Sequence, residues 1–257
     1  MKIEKLLNPR TLNSTINIKN PIVMAPMTTF SGNPDGTVSE AELIYYKTRS
    51  RDVGIVITAA TYVRPSGKGF SGQFAAYNDS FLPGLKKLSQ TKKGEGALAI
   101  LQIFHGGRMA IPAEIPDGQT ISASAIAPER KGSMTPKEMT EIEIQDIINA
   151  FGETTSLAID AGFDGVEIHG ANTYLLQQFF SPHSNRREDS WGGSLEKRMK
   201  FPLAVIAEVK KIVKDKDVDN FIVGYRFSPE EVENPGITLE DTLSFIDVLA
   251  NQGLSYL

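Results

Sequence analysis

GFDGVEIHGANTYLLQQFFSPHSNRREDSWGGSLEKR, residues 162–198, decides how the rest of the chain is read. A short apolar strand, Val166–Ile168, runs straight into a polar cluster of His169, Asn172 and Tyr174. A loop rich in Asn, Arg, Asp and Gly follows, then a helix start near Ser194. Strand, polar cluster, long loop and helix are how a (β/α) barrel builds a site at the carboxyl end of a strand. The three side chains are also a usable chemical set. His169 and Asn172 can both donate to one oxygen, and Tyr174 carries a proton.

Outward from this unit, apolar strands alternate with helices. Upstream strands are expected at Pro21–Met27, Val53–Val63 and Ala97–His105, and downstream ones at Phe221–Phe227 and from Leu254 to Leu257. Helices are expected from Ser39 to Ser50, Leu82 to Lys92, after Thr135, Ser194 to Val213, and after Thr238, with Gly253 closing the last. Ser39–Glu42 and Thr135–Glu138 have the spacing of capping boxes, and Thr238–Asp241 reads as the opening of the last helix. Ile144, Ile147, Ile148 and Phe151 form one apolar helical stripe. Near-continuous apolar strands joined by helices imply a parallel sheet covered on both faces, with right-handed crossovers. A doubly wound sheet and a barrel both satisfy this. The barrel is favoured because polar residues recur at the carboxyl ends of different strands: Thr28, Gln102, His169 and Arg226. Period-two alternation puts Glu167 and His169 on one face of their strand, and Gly224 and Arg226 on one face of theirs.

The composition narrows the function classes. The 257 residues are 40% hydrophobic and 23% charged, with net charge −4, the profile of a soluble globular chain. Lys and Arg are dispersed, so neither nucleic acid nor a membrane surface is an expected partner. No apolar run approaches the roughly 20 residues of a membrane span, and the first residues do not read as a signal peptide. With no cysteine and three scattered histidines there is no thiolate chemistry, disulfide or expected metal site. A cytoplasmic location fits. Strand starts fall near residues 21, 53, 97, 165, 221 and 254. Eight strands at that pace need about 100 more residues. The expectation is therefore one domain over residues 1–257, a (β/α)8 barrel of which five to six units are present and the last part is lacking.

Three stretches carry a resemblance: IVMAPMT at residues 22–28, LQIFHGGR at 101–108, and residues 162–198. Together they resemble the old yellow enzyme family of FMN-dependent NAD(P)H oxidoreductases, over nearly the whole chain. The resemblance implies a (β/α)8 barrel with FMN at its carboxyl-terminal mouth. It implies a ping-pong reaction in which NADH or NADPH reduces the flavin, which then reduces the C=C bond of an electron-poor alkene such as an enone. Ala25, Pro26, Met27 and Thr28 would line the flavin, with Ala60 beneath it. Gln102 would bond its pyrimidine edge, and Arg226 would sit beside the position that turns anionic on reduction. His169 and Asn172 would hold the substrate oxygen, and Tyr174 would protonate the α-carbon. The family holds the FMN phosphate with loops after strands seven and eight, which these 257 residues do not include.

Each assignment has a blander counterpart. Arg226 could be a strand-end ion pair, Gln102 a satisfied core amide, Thr28 a backbone brace and Tyr174 an aromatic wall. His105, Arg108, Arg186, Arg187, Asp189 and Trp191 read as loop braces, and His183 as a loop residue remote from substrate. Two rival functions are a dienoyl-CoA reductase-like member with an iron–sulfur extension, and a non-catalytic remnant. The partners expected are small molecules, met singly or within a homo-oligomer; the choice of nicotinamide donor and of substrate is not legible.

Overall fold

The computed structural model describes residues 7–12 and 15–257. In chain order its elements are β1 (Arg10–Leu12), β2 (Ile16–Ile18), β3 (Val23–Met24), α1 (Glu40–Ser50), β4 (Ile55–Ile57), β5 (Thr61–Tyr62), α2 (Leu82–Lys93) and β6 (Leu98–Phe104). Then come β7 (Ile121–Ser122), β8 (Lys137–Glu138), α3 (Glu141–Asp160), β9 (Gly165–Gly170), α4 (Leu175–Phe180), α5 (Leu195–Asp215), β10 (Ile222–Phe227) and α6 (Leu239–Ala250).

One parallel sheet runs in the order β10–β9–β6–β4–β3, with β5 also pairing to β6. It is a curled half-barrel with its helices outside. The apolar face of α3, including Ile144, Ile147, Ile148 and Phe151, is buried with Val205, Ile206 and Val209 of α5 in one core. Register sets the site. Gln102, Glu167 and Gly224 lie side by side on β6, β9 and β10, and His169 lies beside Arg226 one layer higher. Beyond β10, Tyr256 bridges to Gly224 in parallel, and the Ser255 N–H bonds the Val223 carbonyl. Gly224 is required there, since a Cβ would fall 2.2 Å from the Tyr256 ring.

Four local expectations are corrected. Thr135–Glu138 caps no helix; Lys137 and Glu138 instead form β8 against β7, and the capping box of α3 is Thr140 with Glu143. Both pairs have the right spacing, and the one nearer the apolar stripe prevails. At α1, Ser39 accepts the Glu42 N–H, but the buried Glu42 carboxylate turns to the hydroxyls of Thr29 and Ser31 and leaves the box half made. The long strand expected at Val53–Val63 breaks into β4 and β5. At the break the Thr58 hydroxyl accepts the Gln102 N–H, and the Ala60 carbonyl accepts from Gln73. The first barrel strand shortens to Val23–Met24, paired to β4 alone, which leaves Ala25–Thr28 as a loop over the sheet end.

Candidate active site

The carboxyl end of the sheet holds a cavity of about 190 Å³ lined by Pro26, Met27, Thr28, Ala60, Gln102, His169, Ala171, Asn172, Tyr174, Arg226 and Phe227. Every residue selected from sequence is in this wall except Ala25, which is exposed and stands outside it. Residues as far apart in the chain as Pro26 and Phe227 are gathered because they lie at or just after the carboxyl ends of neighbouring strands.

His169 is 3% exposed, and its Nδ1 accepts the Ala171 N–H at 3.3 Å. That bond assigns the tautomer, leaving Nε2 with the hydrogen. Burial, helped by the charge of Arg226, lowers the imidazole to about 3, so at neutral pH His169 is an uncharged donor. Its ring meets Tyr174 edge-on at 5.1 Å, and Tyr174 meets Phe104 edge-on at 4.4 Å. Tyr174 precedes the first turn of α4, and burial raises its phenol, which therefore keeps its proton. No protein group bonds its hydroxyl among the described residues.

Asn172 reaches the cavity through unusual backbone. Asn172 and Thr173 both have left-handed conformations, φ 56° and 63°. For a β-branched Thr this is a strained state, which persists where its surroundings over-determine it. Here three bonds do so: Asn172 N–H to Ser228 Oγ, Thr173 N–H to Gln177 Oε1, and Gln178 Nε2 to the Thr173 carbonyl. Gln177 is held in turn by Glu231, on the loop after β10.

Beneath the cavity lies a group that sequence reading did not assemble. Glu167 is fully buried and accepts from Gln102 Nε2 at 2.7 Å, Arg226 Nε at 2.8 Å, Arg226 Nη2 at 3.2 Å and the Tyr256 hydroxyl at 3.0 Å. Burial alone would lower the Arg226 guanidinium, but the bonds and charge of Glu167 outweigh that and raise it. Glu167 also fixes the Gln102 amide, since a carboxylate cannot meet the amide oxygen; the Gln102 Oε1 has no partner among the described residues. Arg226 is thus both a strand-end ion pair and a wall of the cavity. The sequence signal was the shared face of Glu167 and His169; the missing signal was register. The loop residues behave as braces: Arg108 bonds the Ile126 and Ala127 carbonyls, and Arg187 bonds Asp189 and two backbone carbonyls.

Residues 5–256 match the NADH:flavin oxidoreductase / NADH oxidase family. The chain is 49% identical over 257 residues to the probable NADH-dependent flavin oxidoreductase YqiG of Bacillus subtilis, covering all of this chain and 68% of that protein. It is 48% identical over 252 residues to NADH:acrylate oxidoreductase of Vibrio harveyi, covering 98% of this chain but 25% of the other. The fold superposes on old yellow enzyme from Pichia sp. with a TM-score of 0.87 and 27% identity, over 98% of this chain and 70% of that one. The chain therefore spans from a quarter to about two thirds of the proteins it matches. Its parallel half-barrel, its site at the strand ends and these matches agree, and the chain belongs to the NADH:flavin oxidoreductase / NADH oxidase family, the FMN-using oxidoreductases related to old yellow enzyme.

Proposed function

We propose that the protein carrying this chain is an FMN-dependent NAD(P)H oxidoreductase that reduces the C=C bond of α,β-unsaturated carbonyl or carboxylate acceptors. The carrying observation is a neutral His169 with Nε2–H toward a cavity shared with Asn172, Tyr174, Gln102 and Arg226. The donor set fits FMN. Among the described residues the Gln102 carbonyl and Arg226 Nη1 have no partner, so one acceptor and one cationic donor are offered side by side to a heterocycle edge. Ala60 adds a small, flat floor. Bound FMN would supply the two-electron relay between nicotinamide and acceptor.

The chain's own groups divide the remaining work. His169 Nε2–H and the Asn172 amide hold the acceptor oxygen and stabilise the charge that grows on it, each such donor contributing roughly 3 kcal/mol at the transition state. Both stay uncharged across the neutral range, so this stabilisation does not titrate. Tyr174 holds the proton destined for the α-carbon. Arg226, compensated by Glu167, favours negative charge at the cofactor edge without leaving a bare cation there.

The test is an anaerobic two-stage titration of the FMN-loaded protein. NADH or NADPH should bleach the flavin, and acrylate or cyclohexenone should restore its colour mole for mole. Reduced protein that neither alkene reoxidises would refute the proposal.

A further inference from the structure

Asn172 and Thr173 both stand in left-handed backbone just past the end of β9, and neither is glycine. Asn visits that region readily, whereas a β-branched Thr resists it. The path of Asn172 out of β9 therefore depends on what holds Thr173.

Two consecutive glutamines of α4, each no more than 2% exposed, grip both backbone polar groups of Thr173. Gln177 Oε1 accepts the Thr173 N–H at 2.9 Å, and Gln178 Nε2 donates to the Thr173 carbonyl at 2.7 Å. The two side chains differ in what else they do. Gln178 also bonds the Gly106 carbonyl, the Arg108 N–H and the Ser122 hydroxyl, so it braces three segments at once. The Gln177 side chain has one other partner among the described residues: its Nε2 donates to Glu231 Oε1 at 2.7 Å.

An amide side chain can turn over, exchanging donor and acceptor, and would then present its NH2 to the Thr173 N–H. Glu231 prevents this. Its Oε1 accepts from Gln177, and its Oε2 accepts from the Ser181 hydroxyl at 2.5 Å and the Ile237 N–H at 3.1 Å. Both oxygens are engaged as acceptors, so only the Nε2 side of Gln177 can face them. Glu231 is itself anchored. Its N–H bonds the carbonyl of the buried Ile237 at 2.9 Å, and the nearby Pro229 carbonyl accepts from Thr242 of α6 at 2.7 Å. On the same loop Ser228 Oγ accepts the Asn172 N–H at 2.9 Å. The loop after β10 thus reaches the turn after β9 by two routes, one direct through Ser228 and one through the Glu231–Gln177 pair.

We propose that Gln177 and Glu231 are positioning residues for the acceptor site: Glu231 fixes which way the Gln177 amide faces, and Gln177 holds Thr173 in the conformation that carries Asn172 into the cavity wall. Neither residue lines the cavity itself. The assignment to acceptor binding rests on the proposed function, and the clamp rests on the hydrogen bonds alone.

The test is a pair of double-mutant cycles. The first needs no cofactor. Thr173→Gly removes the strain and should raise the urea midpoint of the parent. In Gln177→Met, which fills similar space and makes neither bond, the same change should raise the midpoint by less than about half as much. The second cycle follows reoxidation of the reduced, FMN-loaded protein by acrylate or cyclohexenone. Gln177→Met should slow it about tenfold, the value of one good bond, yet by less than about twofold in an Asn172→Ala background. A residue that merely holds the fold together would slow both backgrounds alike. Glu231→Gln leaves α4 untouched and should show the same two patterns, with a rate loss of at least about threefold, so it carries the test if Gln177→Met does not fold. If neither alkene reoxidises the parent, the proposed function falls and the first cycle alone decides the clamp. Equal midpoint gains from Thr173→Gly with and without Gln177, or equal rate losses with and without Asn172, overturn the proposal.

Discussion

Glu167→Gln tests the electrostatic platform under the candidate site. The substitution keeps size and removes one charge. Glu167 accepts four bonds, two on each oxygen: Gln102 Nε2 and Arg226 Nε on Oε1, Arg226 Nη2 and the Tyr256 hydroxyl on Oε2. A Gln side chain has one acceptor oxygen, so one pair of donors must face an amide NH2. A hydrogen bond involving a charged group is worth about 1.5–3 kcal/mol net, which sets a gross loss of roughly 3–6 kcal/mol. Two effects reduce it. Arg226 is 36% exposed and regains water, and the neutral amide no longer carries the desolvation cost of a buried carboxylate. A net destabilisation of about 3 kcal/mol remains, which for a chain of this length lowers Tm by roughly 6–12 °C. Denaturant melts read the first quantity and calorimetry the second. Tyr256→Phe removes one bond and should cost about 1 kcal/mol. In a double-mutant cycle, Glu167→Gln and Arg226→Gln should couple by at least about 1 kcal/mol, since each leaves the other unpaired. A loss below about 0.5 kcal/mol for Glu167→Gln, or additive effects in the cycle, would show that the four bonds contribute nothing net.

Other outcomes follow from the same geometry. His105 and His169 are both buried and both drawn down to about 3, burial being the first cause in each. The unfolded chain takes up these protons near pH 6.5 while the folded one does not, so the stability they confer is complete above that pH and is lost progressively as pH falls toward 3. At pH 5 the loss should be about 2 kcal/mol for each histidine, and a melting temperature that is flat from pH 7 to 4.5 would contradict it. Tyr174→Phe should leave stability within about 0.5 kcal/mol, because the hydroxyl has no partner among the described residues, yet slow alkene reduction by about a hundredfold with NADH oxidation by the flavin unchanged; stopped-flow resolves the two stages. Thr173→Gly should relieve left-handed strain and stabilise the fold by roughly 1 kcal/mol. It should lower turnover by loosening Asn172 and Tyr174, and a gain in both stability and turnover would show that the strain has no positioning role.

What the sequence discloses and what it withholds separate along one physical line. Residue type and short spacing determine local facts, and these are legible: the helices begun by Ser194 and by Thr238, and the end of β9 in a polar cluster. Where two local solutions compete the sequence misleads, as at Thr135 and Thr140, because β7 offers Lys137 and Glu138 a pairing that no spacing rule registers. The left-handed turn at Asn172–Thr173 is also hidden, since neither residue is Gly and the bonds that impose it come from Gln177, Gln178 and Ser228. Register is the least visible of all. Glu167 and His169 are two positions apart on one face of β9, a strand enclosed between β6 and β10. Being enclosed, each meets neighbours on both sides, and the step of two residues separates them by one layer. The lower layer, Gln102–Glu167 with Tyr256 reaching in over Gly224, is a charge-balanced base. The upper layer, His169 beside Arg226, faces the cavity. Arg226 belongs to both layers, its backbone beside His169 and its fork turned down onto Glu167. A barrel strand can therefore hold a neutral imidazole next to a guanidinium: burial and the charge of Arg226 keep His169 uncharged, while the carboxylate two residues earlier on the same strand balances the cation.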